Sequence, residues 1–372
     1  MCKLYNVSTI PINTHVPSYR TQASFYYNAI MNFWHYFIDE SALASIFSNF
    51  PLWGLLIVIA LVIALLSKGA DWLIDGAVGL ALKTKLPKIV IGATILSLGT
   101  TAPEAFVSVM AAFMGTPGLA LGNGVGSIIA DTGLIFGLTV VIAAPPMDKW
   151  ILNRTSNWQL GSAVLLVILA LSTYILLPEG PVINRLMGLL LVSLLVIYLI
   201  ITYRWARNGI NTSSEVSEKS KLLPIILLEF LGGLVLVIIA SRLLVPAAVE
   251  TARRFGVPND VIAATMVALG TSLPELSTAI AAIRKGHPEI TVGNIVGADV
   301  LNTLFVIGMA ALAVPLAVPS NFFLLHFPAM LLILISFRIF ISIDTGGRFR
   351  RWQGAWLLSV YTSYIVLLYI IR

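Results

Sequence analysis

Gly99-Thr100-Thr101-Ala102-Pro103-Glu104 breaks a long apolar run, with Ile89-Val90-Ile91-Gly92-Ala93-Thr94-Ile95-Leu96 before it and Ala105-Phe106-Val107-Ser108-Val109-Met110-Ala111-Ala112 after it. A proline inside a helix has no N–H to donate and crowds the carbonyl four residues back. Pro103 should therefore free the carbonyl of Gly99 and loosen that of Thr100. Two threonine hydroxyls and the Glu104 carboxylate stand within one turn of those carbonyls. All are hard oxygen donors, the ligand type that Ca²⁺ and other hard cations take. A carboxylate at membrane depth costs roughly 2.5–3.5 kcal/mol on insertion scales, so its presence there marks a functional position.

The stretch occurs twice. Gly270-Thr271-Ser272-Leu273-Pro274-Glu275 repeats it, and Glu275 follows Glu104 by 171 residues. At the same offset Gly122-Asn123-Gly124-Val125-Gly126 returns as Gly293-Asn294-Ile295-Val296-Gly297, and Asp131-Thr132 returns as Asn302-Thr303. Two gapless windows at one offset amount to internal duplication.

Apolar residues make up 58% of the chain and charged residues 11%, against roughly a quarter charged in soluble domains. Together with a mean hydropathy of +0.94, this reads as a polytopic membrane protein. The single Cys2 rules out an internal disulfide, and no Cys/His cluster suggests zinc or an iron–sulfur centre. The net charge of +6 does not point to nucleic acid, because the basic residues lie in short loops between apolar spans, where they act as topology signals.

Residues 1–50 lack the compact pattern of a cleavable signal peptide. They read as an extension, with an aromatic stretch from Tyr26 to Phe50 that suits an interfacial helix. With about 20 apolar residues as the unit of a crossing helix, ten spans follow. They cover 52–82, 89–115, 118–144, 157–177, 183–203, 223–253, 259–283, 289–315, 320–342 and 352–371. The expected fold is all-α: ten transmembrane helices as two five-helix repeats of inverted topology. The first repeat covers 51–203 (motif 92–137) and the second 223–372 (motif 263–308), joined by the charged loop 204–222. Lys83, Lys85, Lys88, Lys149, Arg154, Arg204, Arg207, Lys219, Lys221, Arg284, Lys285, Arg348, Arg350 and Arg351 fall on one side of this layout, against mainly Arg185, Arg253 and Arg254 on the other. The positive-inside rule then places the joining loop in the cytoplasm and both termini outside. In such inverted repeats, discontinuous helices meet near the midplane and form an ion site.

Glu104 and Glu275 are the central candidates, since no Lys or Arg lies in the same helical stretches to neutralise them. Asp131 and Asn302 occupy equivalent places nine residues after the first glycine of their motifs. Gly122, Gly126, Gly293 and Gly297 form small-xxx-small faces that suit close helix packing. Asn123 and Asn294 either bond the loosened backbone or act as ligands. The hydroxyls of Thr101, Ser272 and Ser127 either bond a local carbonyl or face an ion. Lys68, Asp71 and Asp75 read as a local ion-pair cluster on the first span, with Arg242 as an alternative partner for Asp71. The histidines (His15, His35, His287, His326) lie in the extension or near span ends, away from any proton relay.

Gly-Thr-Thr-Ala-Pro-Glu and Gly-Thr-Ser-Leu-Pro-Glu, with the two Gly-Asn-X-X-Gly elements, resemble the paired repeats of the Ca²⁺/cation antiporter superfamily. Within it the chain is most similar to prokaryotic Na⁺/Ca²⁺ exchangers over residues 53–371, including the residues around Asp71 and the closing Arg351-Trp352-Gln353-Gly354. The resemblance implies Glu104 and Glu275 as principal Ca²⁺ ligands, helped by the backbone carbonyls of Thr100 and Thr271. It implies Thr101 and Ser127 for one sodium site, and Ser272 with the carbonyl of Ala268 for its symmetry mate. Asp131 and Asn302 would flank the centre.

Two positions depart from the family pattern. The familiar order is Asn in the first repeat and Asp in the second, whereas here Asp131 precedes Asn302. The serine expected opposite Ser127 is Ala298, and the neighbouring Asp299 is turned about 100° round an α-helix from it. The expected charge of the site is three carboxylates. The implied activity is Na⁺/Ca²⁺ antiport across a prokaryotic inner membrane, with no cofactor, no nucleic acid and no obligate protein partner. A proton/Ca²⁺ antiporter on the same carboxylates is the rival reading. An enzyme is not expected, because no nucleophile–base pair, phosphate loop or metal-protease motif occurs.

Overall fold

The computed structural model describes residues 40–113, 115–176, 180–208, 221–256, 272–343 and 346–370. Among the described residues the chain is a succession of helices. These are α1 Glu40–Ser48, α2 Leu52–Thr84, α3 Lys88–Phe113, α4 Pro117–Ala143, α5 Lys149–Leu176, α6 Arg185–Asn208, α7 Leu223–Arg254, α8 Leu273–Arg284, α9 Pro288–Ala313, α10 Phe322–Ile343 and α11 Arg351–Ile370. Eight of them (α2 to α7, α9 and α10) are long and apolar enough to cross a membrane. The described parts of α8 and α11 are helical without meeting both conditions. The protein is a helical polytopic membrane protein.

Helix α5 starts eight residues before the span expected at 157. Asp148 accounts for this: its Oδ1 accepts the backbone N–H groups of Trp150 at 3.0 Å and Ile151 at 3.2 Å, satisfying two donors that a helix start leaves open. Pro103 does not interrupt its helix, since Ser97–Phe113 is continuous α-helix around it. The departure from α geometry comes earlier, as a π-helical stretch at Gly92–Leu96. Further π stretches occupy Ile129–Phe136 in α4 and Asn302–Ile307 in α9, around the paired Asp131 and Asn302. Such wide turns concentrate at functional sites. The Tyr198 hydroxyl donates to the Ala93 carbonyl within the first of them, at 3.4 Å.

The motif-bearing helices are the central ones. In their most apolar windows, 61% of α3, 72% of α4 and 83% of α9 is buried, against 28% of α2, α6 and α7. Helices α3 and α9 cross through glycine: a Cβ on Gly293 would lie 2.0 Å from the Ile89 carbonyl oxygen, and one on Gly297 would lie 2.6 Å from Ala93 Cα. The packing role expected of these glycines holds in the second copy of the motif. It fails in the first, where a Cβ on Gly126 would meet nothing within 4 Å and one on Gly122 only the Phe322 ring at 3.8 Å.

Helices α2 and α7 pack on each other just as closely. A Cβ on Gly76 would lie 2.5 Å from the Phe230 amide nitrogen, and one on Gly233 would lie 2.4 Å from that of Leu73. Their side chains form a small core of their own, Leu73, Ile74, Phe230 and Val237 among them, which touches the main bundle through Ile91, Leu96, Ala281, Ala282 and Ile290. Helix α1 caps one end of this pair. Phe47 packs on Leu55 and Ala247, and the Arg254 guanidinium donates to the carbonyls of Phe50 at 2.5 Å and Ser48 at 2.8 Å. The part of the expected interfacial helix before residue 40 lies outside the described residues, as do most of the joining loop and the start of the seventh span.

Two short strands modify the all-α expectation: β1 Val182–Ile183 pairs antiparallel with β2 Leu316–Ala317. A matching bridge joins Pro146 to Arg348. Each links a loop of one half of the sequence to a loop of the other. The charges on α2 also differ from expectation. Asp71 pairs with Arg284 at 3.7 Å and Asp75 with Lys285 at 2.6 Å, while Lys68 lies over the Trp72 ring. The acids of α2 thus tie it to the end of α8, and Arg242 is not the partner of Asp71. Tertiary contact rather than spacing along one helix decides these pairs.

Candidate cation site

The buried face of α3 carries Ser97, Thr100, Thr101, Glu104 and Ser108, steps of three and four that stack on one side of a helix. In a membrane span this polar stripe turns inward, because lipid offers it no partner. Ser127 and Asp131 come from α4, Ser272 and Glu275 from the start of α8, and Asn302 from α9. None of Thr100, Thr101, Glu104, Ser127, Asp131, Ser272, Glu275 or Asn302 is more than 2% exposed. Thr271 and Ala268 lie outside the described residues.

Residues of the two sequence copies meet here. Asn302 Nδ2 donates to Asp131 Oδ2 at 3.4 Å, joining the two positions that the 171-residue offset equates. The Ser272 hydroxyl lies beside the Asp131 carboxyl, and Thr100 beside Glu275. Glu104 and Glu275 are within electrostatic reach of each other, and Arg242 on α7 is within reach of Glu104. Among the described residues, no ion pair involves Glu104, Asp131 or Glu275.

The hydroxyls settle one alternative left open by the sequence. Thr100 donates to a local carbonyl, that of Ser97, at 3.3 Å. Thr101, Ser127 and Ser272 have no hydrogen-bond partner. Asn123 holds backbone and side chain together, donating to the Glu104 carbonyl at 3.2 Å and to Ser108 Oγ at 2.9 Å. Its counterpart Asn294 reaches only Thr278 Oγ1, at 3.4 Å, and keeps Oδ1 free.

Buried polar atoms without partners are few in folded proteins. Of the thirteen such side-chain atoms among the described residues, nine belong to the paired motifs on α3, α4, α8 and α9: Thr101 Oγ1, Glu104 Oε2, Ser127 Oγ, Asp131 Oδ1, Ser272 Oγ, Glu275 Oε2, Asn294 Oδ1, Asp299 Oδ1 and Asn302 Oδ1. All nine are oxygens. A dense set of buried oxygens with no cation beside most of them suits a hard cation. No three acidic, imidazole or thiol side chains converge on one point among the described residues. Any coordination shell here therefore mixes carboxylates with hydroxyls and carbonyls, as Ca²⁺ shells do.

Asp299 is the residue that the sequence placed wrongly. It is 1% exposed, accepts hydrogen bonds on Oδ2 from Thr132 Oγ1 at 2.5 Å and Gln159 Nε2 at 2.6 Å, and lies within electrostatic reach of Asp131 and Glu275. A fourth buried carboxyl thus lies near the three expected ones. Gln159 near the start of the span expected at 157–177 was the available signal, since a buried amide needs a partner.

The family model described as sodium/calcium exchanger protein matches residues 54–204 and again 225–370. The chain belongs to the sodium/calcium exchanger family. Among its relatives are an uncharacterized membrane protein of Methanocaldococcus jannaschii, 32% identical over 80% of this chain and 92% of that one, and the sodium/calcium exchanger MaX1 of Methanosarcina acetivorans, 28% identical over 85% of this chain and 98% of that one. A solved structure of the sodium-calcium exchanger NCX_Mj, soaked with Na⁺ and Sr²⁺, superposes with a TM-score of 0.70 at 26% identity, covering 85% of this chain and 99% of that one. The family is one of ion exchangers, not a class of enzymes, and NCX_Mj has been soaked with Na⁺, Ca²⁺ and Sr²⁺.

Proposed function

We propose that this exchanger is a secondary antiporter that exchanges Na⁺ for Ca²⁺ across a prokaryotic inner membrane. In this reading ten spans form two five-helix repeats of inverted topology, 51–203 and 223–372, with the joining loop 204–222 in the cytoplasm and both termini outside. Glu104 and Glu275 bind Ca²⁺ with the carbonyls of Thr100 and Thr271. Thr101 and Ser127 serve one sodium ion, and Ser272 with the Ala268 carbonyl serves another. Asp131 and Asn302 close the site between them. The nine unpartnered buried oxygens drawn from both halves of the chain are the observation that carries this reading.

Coupling follows from charge. Ca²⁺ and several Na⁺ compete for the same oxygens, and leaving carboxylates unbalanced in a low-dielectric site is costly. An empty site therefore resists crossing, and exchange wins over leak. Helices α2 and α7, whose side chains pack mainly on each other, are the unit that slides to expose the site on alternate sides. The Asp75–Lys285 contact at 2.6 Å spans that sliding surface. Placing cysteines at 75 and 285 in a Cys2→Ser background and bridging them with a short thiol-specific reagent is expected to stop transport, with recovery on reduction. Full transport by the bridged protein would refute the sliding unit.

Ala298, which lacks the hydroxyl expected of a sodium ligand, favours the rival proton-coupled reading. Ca²⁺ uptake by proteoliposomes loaded with Na⁺, compared with Na⁺-free vesicles under an imposed pH gradient, separates the two. Uptake that requires internal Na⁺ is expected. Uptake driven by the pH gradient alone would replace sodium with protons in the cycle.

A further inference from the structure

Asp299 has a setting unlike that of the other three acids. Three helices hold it: its own α9, α4 through Thr132, and α5 through Gln159. Gln159 Nε2 also donates to Thr132 Oγ1 at 3.2 Å, which turns the threonine O–H toward the carboxylate. Thr132 is fully buried and Gln159 is 1% exposed. Both donors meet Oδ2, so the carboxylate is fixed in orientation and Oδ1 is left without a partner.

That free oxygen is not isolated. Asp131 Oδ1 and Asn302 Oδ1 are also buried and unpartnered, and the Asp131 and Glu275 carboxyls lie within electrostatic reach of Asp299. Two neutral hydrogen bonds on one oxygen do not offset a full charge at membrane depth. Among the described residues no basic side chain pairs with Asp299. The surroundings of Oδ1 thus offer oxygen acceptors, which is what a small hard cation takes.

We propose that Asp299 is a ligand for a monovalent metal cation bound beside the Ca²⁺ position, compensating for the hydroxyl missing at Ala298. Thr132 and Gln159 are its positioning residues. This rests on the exchanger reading above and deepens it. In this reading one Ca²⁺ supplies two of the positive charges that the buried acids can take up, and Asp299 fixes where a further unit binds.

The test is radiolabelled Ca²⁺ binding to the purified full-length protein, titrated with Na⁺, in wild type, Asp299→Asn, Thr132→Val and Glu275→Gln. Asparagine keeps the shape and one acceptor oxygen but removes the charge. The Hill coefficient for displacement of Ca²⁺ by Na⁺ is expected to fall by about one in Asp299→Asn, while Ca²⁺ binding without Na⁺ survives far better than in Glu275→Gln. Thr132→Val keeps the charge and should leave the Hill coefficient alone while raising the half-displacing Na⁺ concentration about tenfold. A purely structural role for Asp299 would not move the Hill coefficient. Wild-type Na⁺ displacement in Asp299→Asn would overturn the inference, and so would an unchanged Hill coefficient with lost pH dependence, which would assign the charge to a proton. If Asp299→Asn is not recovered folded, unchanged half-displacement in both Thr132→Val and Gln159→Leu would overturn it. Wild-type protein whose Ca²⁺ is not displaced by Na⁺ would instead overturn the exchanger reading, and this inference with it.

Discussion

Glu275→Gln is expected to weaken Ca²⁺ binding about a thousandfold or more and to stop calcium transport, and Glu104→Gln should do the same. Two unit charges about 4 Å apart interact by on the order of 4 kcal/mol near an effective dielectric of 20, and a divalent ion by more, so about three decades in affinity is the lower end of the expected loss. The amide also replaces a carboxylate oxygen with an N–H₂ group, which cannot ligate a cation. Both glutamates are almost completely buried, with Oε2 unpartnered, so little hydrogen bonding is lost and the fold should survive. Equal loss in both variants is the informative part, because the two residues come from different halves of the chain. Transport within tenfold of wild type in either variant, measured in proteoliposomes, would remove that glutamate from the ligand set.

Gly293→Ala is expected to destabilise the protein by about 3 kcal/mol or more, while Gly122→Ala, the same place in the first motif, should be close to neutral. The added methyl at 293 would stand 2.0 Å from the Ile89 carbonyl oxygen and 2.8 Å from its carbon, whereas at 122 it meets only a ring edge at 3.8 Å. Backbone cannot rotate out of the way as a side chain can, so α9 must part from α3. That shift would carry Asn302 and Asp299 away from Asp131 and Glu104, and transport should fail along with stability. Thermal unfolding of the two variants in detergent checks the contrast. Equal midpoints would show that the α3–α9 crossing is looser than described.

Those two glycines also mark how far the sequence could be read. The repeat itself was legible, since two polar motifs at one offset inside apolar spans leave few alternatives, whereas the hydrogen bond between Asp131 and Asn302 could not be read from the offset. The difference between Gly122 and Gly293 was not, because it depends on which neighbour each helix face meets. Asp299 was misplaced for a related reason. Its orientation was argued from its own helix, while its partners Thr132 and Gln159 belong to two others. Thr132 also sits in the π-helical stretch Ile129–Phe136, where the wider turn changes the face that a residue presents. Pro103 shows the converse: it was expected to free the Gly99 carbonyl and loosen that of Thr100, yet Ser97–Phe113 runs on as continuous α-helix around it.

The most direct test of the central claim, that Ca²⁺ and Na⁺ share one cluster of oxygens drawn from both halves, is anomalous scattering from crystals soaked in Sr²⁺ with and without excess Na⁺. The account predicts one strong peak among Glu104, Glu275 and the Thr100 carbonyl that fades as Na⁺ is raised. A peak elsewhere, or one that persists at full height in high Na⁺, would contradict it.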